Sequence, residues 1–106
     1  MSADGGFVAV LVIDLHFAEA GSLKHKRKEL SSIKALLHQR HGLTVAEVAH
    51  QDLWQRSTLA AALTGGSLGL LDSSVDRVER FLDERFPQGV RVERCLTSFE
   101  DAGGIG

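Results

Sequence analysis

The run from Phe7 to Phe17, FVAVLVIDLHF, constrains this chain more than any other stretch. Side chains along a strand alternate between faces. Phe7, Ala9, Leu11, Ile13, Leu15 and Phe17 then share one face, which is wholly apolar and belongs in a core. Val8, Val10, Val12, Asp14 and His16 share the other, which begins apolar and ends polar. A strand that is apolar on one whole face and half of the other sits at the centre of a sheet.

The rest of the chain supplies partners for that strand. A helix is predicted over Leu23 to His41, capped by Ser22 and ended by Gly42, with Leu23, Leu30, Ile33 and Leu37 in one narrow sector. Leu43 to Ala49 and Arg56 to Thr64 read as strands joined by His50 to Gln55. Gly65 to Leu71 reads as a Gly-rich loop. A second helix follows from Ser74 to Phe86, capped by Asp72 or Ser73, with Val75, Val78, Leu82 and Phe86 on one face and Phe81 at its margin. Val90 to Phe99 is the last strand. The order is β-α-β-β-α-β. Two split β-α-β units with right-handed crossovers give an α+β, ferredoxin-like fold, a four-stranded antiparallel sheet with both helices on one face. The expected strand order is 4-1-3-2. Val8, Val10 and Val12 then lie on the uncovered face, which a second copy of the chain is expected to cover.

At 106 residues the chain reads as one domain, 1–106, with a core from about 7 to 99 and loose Gly-rich tails at 1–6 and 100–106. Its lone Cys95 cannot close an internal disulfide, which fits a reducing compartment, and it is expected to be a buried, inert thiol. No apolar run is long enough for a membrane helix, and the first residues lack the basic start of a signal peptide. A cytoplasmic location is the expectation.

Charge is unevenly placed. From Ser22 to His41 there are six Lys and Arg against one Glu, a net +5 in a chain of net −2, which leaves −7 for the remainder. Lys24, His25, Lys26, Arg27 and Lys28 crowd the first turns of the helix. Cations there face the positive end of the helix dipole and repel one another, at roughly 0.3–1 kcal/mol each at low salt. Together with Ser22 they are expected to form an anion site, and a nucleic-acid backbone is the obvious polymeric anion. The competing reading is a solvated basic face. Aromatic residues are scarce, five Phe and one Trp, so base stacking on the open sheet face is not expected.

The segment Gln51-Asp52-Leu53-Trp54-Gln55-Arg56 holds that Trp. Trp54, with Gln51 and Asp52, is either an exposed anchor for a partner or a lid folded back on the core. Arg56 pairs with Asp52 within the loop or reaches the same anion as the helix. Asp14 and His16 share a face, but no nucleophile stands at a matching spacing, so a polar sheet margin is the expectation. His38 and His41 lie three apart with no third ligand following, and no metal or cofactor is expected. Gly65-Gly66-Ser67-Leu68-Gly69 lacks the Lys-Ser/Thr of a phosphate loop.

Leu15-His16, Ser22-Leu23-Lys24-His25-Lys26-Arg27, Val45-Ala46-Glu47-Val48, Gln51-Asp52-Leu53-Trp54-Gln55-Arg56 and Val78-Glu79-Arg80-Phe81-Leu82-Asp83 together resemble the YlxP-like family of small bacterial proteins, also catalogued as a domain of unknown function. The resemblance covers roughly residues 7 to 99. It implies a ferredoxin-like fold and, since members are often encoded beside translation and ribosome-maturation factors, an RNA-linked role. It implies no catalytic residues. His25 departs from the family pattern, which often has an acid there.

The expected function is therefore a small non-catalytic module that binds ribosomal RNA or a ribosome-assembly intermediate. Ser22, Lys24, Lys26, Arg27, Lys28 and Arg56 are its expected anion contacts. The alternatives are a protein-interaction module built on Trp54 and the open sheet face, and, less favoured, an enzyme acting on a small anionic ligand.

Overall fold

The computed structural model describes residues 5–87 and 89–101. The outer parts of both expected tails, 1–4 and 102–106, lie outside the described residues. The elements are β1 (Phe7–His16), α1 (Leu23–His41), β2 (Thr44–Ala49), β3 (Arg56–Gly65), α2 (Leu68–Arg85) and β4 (Val90–Ser98). The four strands form one antiparallel sheet in the order β2-β3-β1-β4. This is the expected ferredoxin-like arrangement, with β1 and β3 central.

The alternation in β1 decides which face the helices cover. Ala9, Leu11, Ile13 and Leu15 are fully buried, while Val10 and Val12 remain exposed on the opposite face. Leu30, Ile33 and Leu37 of α1 and Leu71, Val75, Val78 and Leu82 of α2 pack onto the buried face, with Leu43, Leu59 and Ala61 between them. Phe17 and Phe86 close one end of this core edge to face, their ring centroids 5.5 Å apart.

Sequence and structure part at the start of α2. The helix begins at Leu68, six residues before the expected Ser74, and Ser67 caps it by accepting from the Leu70 N–H. Of the segment expected to be a loop, Gly65 to Leu71, the last four residues therefore form the first turn of the helix. Leu71 is the reason. It lies four residues before Val75 and extends the buried stripe Val75, Val78, Leu82 one turn backward. Burial of a leucine outweighs the helix penalty of Gly69, roughly 1 kcal/mol.

Two details fix the sheet margins. Arg94 of β4 reaches over α2 and donates to Asp72 and Asp76 at 2.7 Å and to Glu79 at 3.3 Å. The hydrogen bond it donates to Asp76, with the charges of Glu79, Asp72 and Asp76, raises its pKa further. At the other margin the β2–β3 register shifts between Glu47 and Ala49, a bulge at Val48.

Candidate functional site

Ser22 has an extended backbone, and its Oγ accepts the His25 N–H at 3.1 Å, so it caps α1 as expected. No acid lies in the first turn. Lys24, His25, Arg27 and Lys28 are exposed. Among the described residues, no carboxylate comes within salt-bridge distance of Lys24, Arg27 or Lys28.

Lys26 is a correction. The sequence pattern places it beside the others as a phosphate contact, but it is 0% exposed. It stands four residues before Leu30, on the stripe that faces the sheet. Its ammonium donates to Glu47 Oε2 at 3.0 Å, to the His50 carbonyl at 2.7 Å and to the Gln51 carbonyl at 3.4 Å. A buried ammonium with its donors so engaged has nothing to offer an external anion. Glu47 also accepts from Ser57 Oγ at 2.6 Å. Burial alone pushes the Glu47 carboxyl up, but the hydrogen bonds from Ser57 and Lys26 and the charges of Lys26 and Lys34 outweigh it and hold it below its ordinary value.

This network fixes the connection between β2 and β3. His50 sits at φ 63°, a left-handed conformation that costs a non-glycine residue roughly 1–2 kcal/mol. The carbonyl of His50 accepts from both Lys26 and the Leu53 N–H, at 3.1 Å for the latter. The far end of the connection is tied by the Phe17 N–H, which donates to the Gln55 carbonyl at 2.9 Å. Segment 50–55 is thus pinned at both ends while its side chains face outward. Gln51, Asp52 and Leu53 are exposed, and Trp54 is 54% exposed. Of the two expectations for Trp54, the exposed position is the one adopted.

Arg56 opens β3 directly across from His16 of β1. It turns toward Asp14, 3.9 Å away, rather than toward Asp52. Asp14 is held mainly by Thr58, whose hydroxyl donates to it at 2.6 Å. Arg91 of β4 stands opposite Asp14 on the other side and is exposed. Three adjoining hollows meet at His16. One of about 610 Å³ lies under Trp54, Leu53, Gln55 and Arg56. One of about 540 Å³ extends past Asp14, Arg56 and Arg91 to Phe86. A third of about 430 Å³ runs by Phe17 and Glu29. Asp14 and His16 do share a face, and it leads into these hollows. The sequence pairs Leu15-His16 with Trp54-Gln55-Arg56 only as separate motifs, whereas the fold brings them to one end of the molecule, beside the start of α1.

Cys95 departs from expectation. It is exposed, opposite Val10 on the open sheet face. With β4 at the edge of the sheet, its alternation puts Arg91, Glu93, Cys95 and Thr97 on the uncovered side. His38 Nδ1 lies 3.1 Å from the Leu43 carbonyl, past the helix C-terminus. Among the described residues no group of three or more His, Cys, Asp or Glu could hold a metal ion, and no helix is long and apolar enough to cross a membrane.

A family model described as "Protein of unknown function (DUF503)" matches residues 8–94. The chain is 33% identical over 82 residues to the uncharacterized protein YlxP of Bacillus subtilis (strain 168), covering 77% of this chain and 85% of that one. Among solved structures it is similar to the de novo designed protein Foldit4, with a TM-score of 0.56 and 14% identity, over 88% of this chain and 97% of the designed one. That last likeness is one of fold alone.

Proposed function

The chain belongs to the DUF503 family, described as proteins of unknown function, and from that starting point we propose that it is a small, non-catalytic, cytoplasmic module that binds RNA, with ribosomal RNA or a ribosome-assembly intermediate as its target. The observation that carries the reading is the set of cations at the start of α1. Lys24, Arg27 and Lys28 crowd the positive end of a helix dipole, exposed and, among the described residues, without a carboxylate in reach. A sequence under selection for stability alone favours acids there. A phosphate backbone supplies the missing negative charge and releases counterions as it binds. Arg56 stands at the same end of the molecule as a further contact, Ser22 fixes the helix start, and Lys26 serves as the buried anchor of the surface.

Sedimentation of the protein with ribosomes and RNA across a salt series tests this. With four phosphate contacts to a single strand, three from α1 and one from Arg56, log K falls with log salt at a slope of about −3. The triple variant Lys24→Glu, Arg27→Glu, Lys28→Glu is expected to abolish the association. Association that persists in that variant, or that ignores salt, overturns the reading.

A second reading rests on the uncovered sheet face. Val10, Val12 and Val48 are exposed there, with only the small side chains of Ala46, Ala60 and Ala62 between them. A flat apolar surface of this kind suits a second copy of the chain. Sedimentation equilibrium that shows a dimer, converted to a monomer by Val12→Lys, supports it; a wild-type monomer at high concentration removes it.

A further inference from the structure

We propose that the hollow under Trp54 binds one nucleotide unit of a single-stranded RNA, with the base stacked on the indole and the phosphate turned toward Arg56. The inference rests on the RNA-binding reading above and adds to it a site and a ligand conformation.

The first support is where the structure spends its constraints. Segment 50–55 carries the only Trp of the chain, and Trp54 is held half exposed rather than folded onto the core. Yet the segment is pinned by a buried lysine at His50 and Gln51, by an internal turn from His50 to Leu53, and by Phe17 at Gln55. A large apolar ring kept in water on a pinned backbone is partly preorganised for a flat partner, because the loop itself has little freedom left to lose on binding.

The second support is the polarity around the ring. The hollow of about 610 Å³ is lined by the apolar Leu53 and Trp54 together with the polar His16, Asp52, Gln55 and Arg56. An apolar wall with convergent polar groups is the composition of a small-molecule site, and the size admits one base with its sugar. Unpaired bases stack on aromatic rings whatever their identity, whereas bases within a duplex present no free face. Asp52 accepts, and Gln55 both donates and accepts, at the rim where a base edge would lie.

The third support is the state of Arg56. Its contact with Asp14 is long, 3.9 Å, and Asp14 is already engaged by Thr58 at 2.6 Å. The guanidinium is free to take a bidentate grip on a phosphate. Arg91, across the sheet from Asp14, lines the adjoining hollow and lies where a neighbouring phosphate would pass.

Because Trp54 is the only Trp, its fluorescence reports on this hollow alone. The full chain is titrated with a single-stranded RNA octamer, a duplex of equal length, and AMP. The expected result is quenching by the octamer and none by the duplex. Fluorescence anisotropy of a labelled octamer should weaken about fivefold or more in Trp54→Leu and in Arg56→Gln, with melting temperatures unchanged since both side chains are exposed. AMP should quench only at much higher concentration.

If the octamer binds without quenching and Trp54→Leu binds it normally, the site is overturned while the phosphate contacts of α1 stand. If AMP quenches as well as the octamer, and the Lys24, Arg27, Lys28 charge-reversal variant leaves this unchanged, the hollow takes a free nucleotide and the assignment to RNA falls. If neither probe binds, the site under Trp54 is overturned, and the ribosome sedimentation decides the α1 reading separately.

Discussion

Lys26 and Glu47 form an ion pair 3.0 Å long between α1 and β2, at a helical position whose neighbours Leu30, Ile33 and Leu37 are all core residues. A lysine in that stripe gives up apolar packing. What it supplies in exchange is three hydrogen bonds, two of them to the carbonyls of the connection that carries Trp54.

Removing the ammonium leaves Glu47 and two carbonyls short of a partner. Lys26→Met is expected to destabilise the fold by about 3 kcal/mol, the lower end for a broken buried pair because Glu47 retains some solvent access. The double variant Lys26→Met, Glu47→Leu should cost less than the sum of the two singles. Urea unfolding measures both. The emission of Trp54 should also shift in native Lys26→Met as its support loosens. A single variant within 0.5 kcal/mol of wild type contradicts this account.

Stability should fall with acidity in two steps. Burial, then the charges of Arg77 and Arg40, lower the His41 pKa from 6.5. The unfolded chain therefore takes up that proton first, and stability is complete above 6.5 and declines as pH drops through the lowered folded value. The Glu47 carboxyl is likewise below its ordinary 4.5, so its contribution is complete above 4.5 and is lost on further acidification. His41→Gln should remove the upper step and spare the lower one. Urea midpoints measured at close intervals from about pH 3 to about pH 8 resolve the two.

Gly89 abuts His16. A Cβ at Gly89 would lie 2.6 Å from the His16 Cβ, and the Gly89 carbonyl accepts the His16 N–H at 2.8 Å. Gly89→Ala is expected to lower stability by about 1–3 kcal/mol through this clash. Adding His16→Gly should recover part of the loss, although glycine is itself poor in a strand. Thermal melts of the two singles and the double reveal the coupling; strict additivity contradicts it.

Ser67→Ala should cost about 1 kcal/mol or somewhat less, as the loss of a helix cap. The same change at Ser73, inside the helix, should cost less. Equal effects at the two serines would return the helix start to the later position.

These particulars show what the sequence makes legible. The alternation of β1 and the stripes Leu30-Ile33-Leu37 and Val75-Val78-Leu82 expose their periods directly, because burial of one face is a local property of the pattern. The start of α2 is hidden because Gly65, Gly66 and Gly69 favour a loop locally, while the burial of Leu71 that overrides them is tertiary. Lys26 is half legible: four residues before Leu30, it alone among the first-turn cations projects near the apolar face, but its charge argues for the surface, and its counterpart Glu47 lies far away in sequence on the inward face of β2. Cys95 misleads because cysteines are usually buried, whereas its register with Val10 puts it on the uncovered side. The hollow at His16 combines side chains from β1, the 50–55 segment and β4, so no single stretch announces it.

The margins of the sheet carry a consequence of their own. An edge strand is a template on which another chain can polymerise. Here one edge, β2, is six residues long and bulged at Val48, and the other, β4, carries the exposed charges of Arg91 and Glu93. Neither margin offers the long, straight, uncharged ladder that fibril growth requires. Copies of this protein at high density are thereby steered away from strand-to-strand stacking, and any self-association is left to the broad surfaces of the sheet and helices.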